Sequence, residues 1–147
     1  MIHIQRTAES EWHSDSRSGQ GTITTGSGVF HGQPYTRKMR FEDEPGTNPE
    51  ELVAAAHAAC YCMALASRLS KAGFTADRLH AKATLSVQQE DIGWTATRMR
   101  LEVEGVVPGI DAAAFQQYAM EAKDTCPISR LLAPGLQSID LTAVLRP

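Results

Sequence analysis

The chain has 147 residues, 42% of them hydrophobic and 21% charged, which predicts a single globular domain over residues 1–147. A net charge of −3, without a block of like charges, argues against a nucleic-acid binder. No secretory signal is recognisable, the longest apolar run is too short to span a membrane, and three cysteines fit a disulfide scaffold badly, so we expect a cytoplasmic protein away from membranes.

The first 41 residues are predicted to form three strands. An early strand is expected over residues 2–12, and two more lie within residues 20–41, on either side of a turn at His31 and Gly32. This arrangement makes Arg40 a solvated strand residue.

A long helix is predicted next. Asn48 is a good N-cap, Pro49 suits the first helical position, and Glu51 stands where a capping box would place an acid. The helix should continue to about Lys71, where Gly73 can end it.

The rest of the chain mixes strands and helices. Apolar and polar residues alternate over residues 79–88 and 98–104, which predicts two strands of an antiparallel sheet with one covered face. A helix capped by Asp111, a short helix over residues 126–133 and a strand over residues 139–145 follow. The order β-β-β-α-β-β-α-α-β predicts an α+β fold, with antiparallel sheets packed around the long helix.

The long helix also predicts a partner chain. Between Leu52 and Ala66 it is apolar nearly all round, apart from His57. A helix without a polar face must be covered on every side, and one sheet covers only one side. We therefore expect the long helix to be buried at the centre of an intertwined homodimer.

The three cysteines could be packing material, metal ligands or redox groups. Cys60 and Cys62 fall in the apolar helix, where cysteine often packs as a small hydrophobe. A zinc site is disfavoured, because His57 and Cys60 can share a helix face, whereas Cys62 points away from both. Cys126 precedes Pro127 at a helix start, where free N–H groups favour a thiolate, whereas Cys60 would need a neighbouring cation. The residues alone leave packing and redox chemistry open.

Two motifs resemble those of the OsmC/Ohr family of thiol peroxidases, which reduce organic hydroperoxides: GTNPEELVAAAHAAC (46–60) and CPISRLL (126–132). Three further stretches are similar to the OsmC branch: GVFHGQPY (28–35), MRFEDEPGTNPEEL (39–52) and VPGID (107–111). The likeness extends over essentially the whole chain, with the motifs in the family's order.

The resemblance implies a two-cysteine mechanism on an intertwined dimer. Cys60 corresponds to the peroxidatic cysteine and Cys126 to the resolving one. The family pairs them with a glutamate and an arginine, which correspond to Glu50 and, in the OsmC branch, to Arg40.

Several neighbouring residues keep open roles. Arg17 lies near the position of the arginine in the Ohr branch, and Arg37 is a third candidate for the catalytic arginine. Cys62 corresponds to no catalytic residue, so it keeps the packing interpretation. His57 is interpreted as a helix-packing histidine that could influence the pKa of Cys60.

The implied activity is reduction of organic hydroperoxides to alcohols through a Cys60–Cys126 disulfide, without metal, haem or flavin, in defence against oxidative or osmotic stress. Apolar neighbours of Cys60, such as Tyr61 and Leu65, favour a hydrophobic hydroperoxide. A dithiol such as a dihydrolipoyl protein would reduce the disulfide. The alternative is a non-enzymatic dimer that binds a small hydrophobic ligand.

Helix geometry predicts composite active sites. Glu50 and Cys60 are ten residues apart, or about 15 Å along an unbroken helix. We therefore expect the glutamate that supports Cys60 to come from the partner chain, which makes two composite sites per dimer.

Overall fold

A computed structural model describes residues 1–147, and the chain divides into two compact units, Met1–Leu52 and Val53–Pro147. The first unit holds a three-stranded antiparallel sheet in the order β1-β2-β3. Its elements are β1 (Ala8–His13), β2 (Gln20–Thr25), β3 (Gln33–Thr36) and a short helix, α1 (Arg37–Phe41).

The first unit differs from the prediction at three places. β1 begins at Ala8 instead of residue 2, and the connection from β2 to β3 is longer than a tight turn. Residues 37–41, which were expected to continue a strand, form α1 because the Thr36 hydroxyl accepts a hydrogen bond from the Met39 N–H at 3.2 Å and caps a helix. Arg40 therefore lies on a helix, so its assignment to a strand is wrong.

The long helix, α2 (Pro49–Lys71), is unbroken and begins as predicted. Asn48 Oδ1 accepts a hydrogen bond from the Glu51 N–H at 2.8 Å, which satisfies one of the free donors of the first turn. The Glu51 carboxylate in turn accepts a hydrogen bond from the Thr47 hydroxyl at 2.9 Å.

The C-terminal end of α2 is also confirmed. Gly73 has a φ of 85°, a conformation that costs glycine little and other residues more. The Phe74 N–H reaches back to the Leu69 carbonyl at 2.9 Å, and the Gly73 N–H reaches Ser70 at 3.1 Å. These two bonds form the Schellman motif, which satisfies the last carbonyls of the helix.

One side of α2 is buried and the opposite side is exposed. The buried side consists of four residues spaced four apart: His57, Tyr61, Leu65 and Leu69. Five apolar residues form what we call the exposed apolar face of α2: Ala55, Ala56, Ala59, Met63 and Ala66. One chain therefore covers only one side of α2, and its burial on every side stays a prediction that depends on a partner chain.

By length and composition alone, α2 is apolar enough to cross a membrane, with a mean hydropathy of 1.4 over an 18-residue window. The residues that flank the apolar run extend it beyond the length judged from the sequence. Only 22% of that window is buried. The criterion is weak evidence for a membrane span, because the core helix of a soluble protein can satisfy it as well.

The second unit contains a three-stranded sheet in the order β4-β5-β6. Its elements are β4 (Arg78–Glu90), β5 (Gly93–Val106), α3 (Ala112–Thr125), α4 (Pro127–Leu132), a 3₁₀ turn (Ala133–Gly135) and β6 (Ser138–Arg146). The predicted alternation is confirmed on β5, where Met99, Leu101 and Val103 are buried while Arg98 and Arg100 are exposed.

The prediction of a purely antiparallel sheet is wrong at the last strand. β4 pairs with β5 antiparallel, but β6 pairs with β5 in parallel. The helices α3 and α4 form the crossover that returns the chain to the end where β5 began, as a parallel pair requires. With α1 added, the order becomes β-β-β-α-α-β-β-α-α-β, still of the α+β class.

The core of the second unit lies between α2, α3 and the sheet. α3 packs closely on β5 at Gly105, where an added Cβ would lie 2.5 Å from the Phe115 ring. Cys126 belongs to this core, together with Tyr61, Leu65 and Leu101. The resolving cysteine proposed from the sequence is thus a core residue.

Candidate active site

Two cysteines of the second unit meet where α2 passes the start of α4. Cys60 lies on α2, half-buried, between the buried side of the helix and its exposed apolar face. Cys126 ends α3 and caps α4, has no exposed surface, and contacts Cys60 through its side chain. Both are free thiols, so the arrangement is that of the reduced protein.

The surroundings of Cys60 act on its ionisation in opposite directions. Burial raises the pKa of the Cys60 thiol, a hydrogen bond from the Ile128 backbone N–H lowers it, and Cys126 adds to the rise. Because the net shift of the pKa is upward, Cys60 needs a neighbouring cation to ionise readily. Ile128 lies in the first turn of α4, so a free N–H of that helix start is directed at Cys60 and not, as expected, at Cys126.

A buried histidine lies one helical turn before Cys60. His57 has no exposed surface, and its Nε2 lies 2.7 Å from the Ser129 Oγ on α4. Its Nδ1 is buried without a hydrogen-bond partner. Burial lowers the pKa of His57, so the ring is neutral at neutral pH. Packing explains the burial of His57 but not its hydrogen bond to a second helix.

The neighbours of Cys60 in sequence are occupied elsewhere. Tyr61 is fully buried, and its hydroxyl donates a hydrogen bond to the Ala119 carbonyl at 2.8 Å. Burial raises the pKa of Cys62, while a hydrogen bond from the Ala81 N–H lowers it, which places Cys62 against β4 and away from Cys60. Leu65 is fully buried too. We had expected Tyr61 and Leu65 to line a substrate pocket beside Cys60. Both are instead buried in the core and line no open pocket.

The first unit brings Arg40 and Glu50 together. Arg40 Nε lies 3.0 Å from each carboxylate oxygen of Glu50, and a terminal nitrogen of Arg40 also donates to Oε1. The guanidinium carbon of Arg40 lies 4.8 Å from the centroid of the Phe41 ring, and that of Arg37 lies 5.0 Å from the same centroid. A carboxylate and an aromatic ring thus hold the Arg40 guanidinium.

The three arginine candidates differ in their surroundings. Arg40 pairs with Glu50, whereas Arg37 contacts Phe41. Arg17 lies in the turn between β1 and β2, where its backbone N–H donates to Asp15 Oδ1 at 2.7 Å. Of the three, Arg40 has the carboxylate partner that the resemblance implies.

A cavity of about 370 Å³ opens on the second unit, beside α4. Its lining includes three charged side chains, Lys123, Asp124 and Arg130, and the hydroxyl residue Ser129. Three apolar residues, Ala133, Leu136 and Ile139, line the same cavity, so its walls are mixed and do not by themselves decide for or against a small hydrophobic ligand.

Two groups near the cysteines were not identified from the sequence. Ser129 stands in the CPIS motif, where a hydroxyl residue in the first turn of a helix is ordinary. Its burial and its bond to His57 depend on how α4 packs against α2, which the sequence pattern does not show. The Ile128 N–H is a backbone group, and its only sequence signal is the helix start marked by Pro127.

Comparison with known proteins identifies the family. A family model described as OsmC-like protein matches residues 41–139. The chain is 45% identical over 129 residues to "Peroxiredoxin OsmC" of Escherichia coli (strain K12), with 88% of this chain and 90% of that protein covered. The chain belongs to the OsmC-like family. The resemblance seen in the motifs is thereby confirmed.

Two further proteins are similar to this chain, one in sequence and one in structure. "Organic hydroperoxide resistance protein" of Xanthomonas axonopodis pv. citri (strain 306) is 34% identical over 103 residues, covering 68% of this chain and 67% of that protein. The solved structure of an OsmC-like protein from Mycoplasma pneumoniae superposes with a TM-score of 0.78 at 15% identity, covering 99% of this chain and all of that one (100%). The mixed α+β architecture is therefore that of the OsmC-like fold.

Proposed function

We propose that this OsmC-like protein is a cysteine-based peroxidase that reduces organic hydroperoxides to alcohols, in defence against oxidative or osmotic stress. The observation that carries the proposal is that Cys126, at the start of α4, lies beside Cys60 on α2, where its side chain and the Ile128 backbone N–H both act on the pKa of Cys60. The names of two relatives, a peroxiredoxin and an organic hydroperoxide resistance protein, support the same chemistry.

The proposed cycle has three steps and uses only thiol chemistry. The Cys60 thiolate attacks the terminal oxygen of ROOH, the O–O bond breaks, and Cys60 sulfenic acid forms while the alkoxide takes up a proton to become the alcohol. The Cys126 sulfur then attacks the Cys60 sulfur, and the sulfenic hydroxyl leaves as water. An external dithiol reduces the resulting disulfide and is itself oxidised to a disulfide.

Arg40 and Glu50 supply the cation in this proposal. Because burial raises the pKa of Cys60, a guanidinium beside the sulfur would favour the thiolate and hydrogen-bond the peroxide. Glu50 holds the planar guanidinium in a fixed orientation through its two-point contact with Arg40.

The site is completed by a second copy of the chain. Cys60 lies at the border of the exposed apolar face of α2, which an α2 helix of a partner would cover. Because α2 is unbroken, Glu50 lies about 15 Å along the helix from the Cys60 of its own chain. We therefore assign the support of Cys60 to the Arg40–Glu50 pair of the partner subunit, with both units of each chain acting as one domain in an intertwined homodimer.

The physiological reductant in this proposal is a dithiol, such as a dihydrolipoyl protein, in the reducing cytoplasm. The alternative function, a dimer that binds a small hydrophobic ligand without chemistry, would leave both thiols unreacted.

The proposal is tested by counting thiols. Reduced protein has three free cysteines per chain. Treatment with one equivalent of cumene hydroperoxide should remove two of them, with one equivalent of the alcohol formed. An unchanged thiol count would favour the binding protein.

Three cysteine variants assign the roles. Cys60→Ser should abolish peroxide reduction, and Cys126→Ser should permit one round of oxidation and then stop at the sulfenic acid, which dimedone traps. Cys62→Ser is the matched control and should turn over as the wild type does. If Cys62→Ser stops turnover while Cys126→Ser does not, the assignment of the resolving cysteine is wrong.

A further inference from the structure

The bond between His57 and Ser129 joins the two segments that carry the reacting cysteines. His57 lies three residues before Cys60 on α2, and Ser129 lies three residues after Cys126 in α4. Their exposed fractions are 0% and 3%, and the Nε2–Oγ distance is 2.7 Å. No step of the proposed cycle uses either residue.

The unpartnered nitrogen of His57 defines the direction of this hydrogen bond. Nδ1 is buried and has no partner, and an unsatisfied buried N–H costs more than an unsatisfied lone pair. The proton of the neutral ring therefore lies on Nε2, which donates to the Ser129 hydroxyl oxygen. The Ser129 side chain is held from the helix that carries Cys60.

Apart from the His57 bond, the start of α4 is held by the burial of Cys126 in the core and by the bond from the Cys126 N–H to the Ala122 carbonyl, but by no further side-chain hydrogen bond. Cys126 caps the helix without a side-chain hydrogen bond, and α4 comprises only Pro127–Leu132. Yet this segment must place the Ile128 N–H on the Cys60 sulfur and keep the Cys126 sulfur within reach of it. Disulfide formation requires the two Cβ atoms to come to about 3.8 Å, so a shift of α4 by an ångström would matter.

We infer that His57 is a positioning residue, whose hydrogen bond to Ser129 holds residues 126–129 in place for disulfide formation between Cys60 and Cys126. The role of this bond in catalysis rests on the proposed peroxidase function, whereas the positioning itself does not. Without the bond, the reduced protein samples more arrangements of α4, and closing the disulfide costs more conformational entropy. Cys60 sulfenic acid then persists and is open to further oxidation to the sulfinic acid.

The first test needs no peroxide. The equilibrium between the Cys60–Cys126 disulfide and a glutathione buffer gives the effective concentration of the two thiols toward each other. His57→Leu, of similar volume but without a donor, should lower this concentration about three- to tenfold, the range expected for one buried hydrogen bond. His57→Gln, whose amide N–H can reach the same oxygen, should restore it to within about twofold of the wild type.

The second test follows the fate of the sulfenic acid. With one equivalent of cumene hydroperoxide, His57→Leu should lose the Cys60 thiol but form less disulfide, with more dimedone adduct and more sulfinic acid by mass spectrometry. Ser129→Ala should likewise form less disulfide and more dimedone adduct and sulfinic acid. This second variant keeps the inference testable if His57→Leu folds poorly.

Tyr61→Phe is the matched control. It removes another buried hydrogen bond of α2, the 2.8 Å bond to the Ala119 carbonyl, but that bond leads to α3 and not to α4. This control should lower the stability of the protein. It should change neither the effective concentration of the Cys60 and Cys126 thiols nor the division of the Cys60 sulfenic acid between disulfide and sulfinic acid. Equal effects of Tyr61→Phe and His57→Leu, or no rescue by His57→Gln, would overturn the inference.

The outcomes also separate the inference from the proposed function. If the wild type forms the disulfide in glutathione but consumes no hydroperoxide, the peroxidase proposal fails, and the glutathione result for His57→Leu still decides the positioning role. If hydroperoxide is consumed and His57→Leu matches the wild type in both tests, only the positioning role fails. If no Cys60–Cys126 disulfide forms under either condition, both fail.

Discussion

Arg40 and Glu50 are joined by a two-point contact, with Arg40 Nε 3.0 Å from both oxygens of the Glu50 carboxylate. The two residues belong to different helices of the first unit, α1 and the first turn of α2. Their side chains are 36% and 23% exposed, so the pair lies at the surface and is not enclosed in a core. A surface ion pair of this kind adds little stability, which favours a role in holding the guanidinium.

The first prediction concerns this guanidinium. Arg40→Ala should raise the pKa of Cys60 and slow its oxidation by cumene hydroperoxide about tenfold, because one charge-assisted interaction is worth on the order of 1–2 kcal/mol. Ultraviolet thiolate absorbance against pH gives the pKa, and stopped-flow thiol loss gives the rate. Arg40→Lys keeps the charge but loses the two-point contact. Its Cys60 pKa and its oxidation rate should lie between those of the wild type and those of Arg40→Ala.

Arg17→Ala and Arg37→Ala serve as comparisons, since neither residue has the Glu50 contact. In both variants, the Cys60 thiol should titrate with the pKa that it has in the wild type. If instead Arg17→Ala shifts the titration while Arg40→Ala does not, the catalytic arginine is in the position used by the Ohr branch.

Local signals in the sequence were sufficient to predict the long helix and the hairpin of the second unit. Asn48, Pro49 and Gly73 mark the ends of α2 by the hydrogen bonds that each can or cannot make. The alternation along β4 and β5 reflects one covered face and one solvated face. Such features depend on residues close together in the chain.

Features set by distant contacts were not predictable in the same way. The alternation in β6 is the same for a parallel and an antiparallel neighbour, so it could not reveal the direction of pairing. α1 depends on a cap by Thr36, which also has a high preference for strands. The bond from His57 to Ser129 joins residues separated by 72 positions.

The second prediction concerns the pH dependence of stability. Burial lowers the pKa of His57 in the folded protein below its reference value of 6.5. As the pH falls below 6.5, the unfolded chain takes up a proton that the folded chain resists, so the free energy of unfolding decreases. Above that pH the ring is neutral in both states and contributes no dependence.

His57→Gln removes this titration and leaves every other ionisable group in place. Urea unfolding at a fixed protein concentration, at about pH 7.5 and about pH 5.5, should show a larger loss of stability for the wild type than for the variant. Parallel pH dependences would mean that His57 is protonated in the folded protein without penalty.

The third prediction concerns the exposed apolar face of α2. Met63 is 75% exposed in the isolated chain, in the middle of that face. If a partner covers it, Met63→Glu buries an unpaired charge and should shift the protein from dimer toward monomer in sedimentation velocity at micromolar concentration.

Ile92 provides the matched control for that experiment. It is 90% exposed but lies in the turn between β4 and β5, away from α2. Ile92→Glu should leave the dimer unchanged. If the Met63→Glu variant dimerises as strongly as the wild type, this face of α2 is not the interface.

The last prediction tests whether the active site is composite. Because α2 is unbroken, about 15 Å of helix separates Glu50 from the Cys60 of the same chain, and we assign the supporting Glu50 to the partner subunit. Glu50→Ala and Cys60→Ser chains should be nearly inactive as separate homodimers. Refolded together, they give a mixed dimer in which one site has both Cys60 and Glu50 intact and the other lacks both.

Activity should therefore return in the mixture, to at most half of the wild-type rate per mixed dimer. Two different affinity tags allow the mixed dimer to be isolated, so that its formation is established before turnover is measured. Within one chain, each mutant protomer lacks either its cysteine or its glutamate, so sites that used only their own chain's residues could not recover. An inactive, verified mixed dimer would show that Glu50 serves the Cys60 of its own chain.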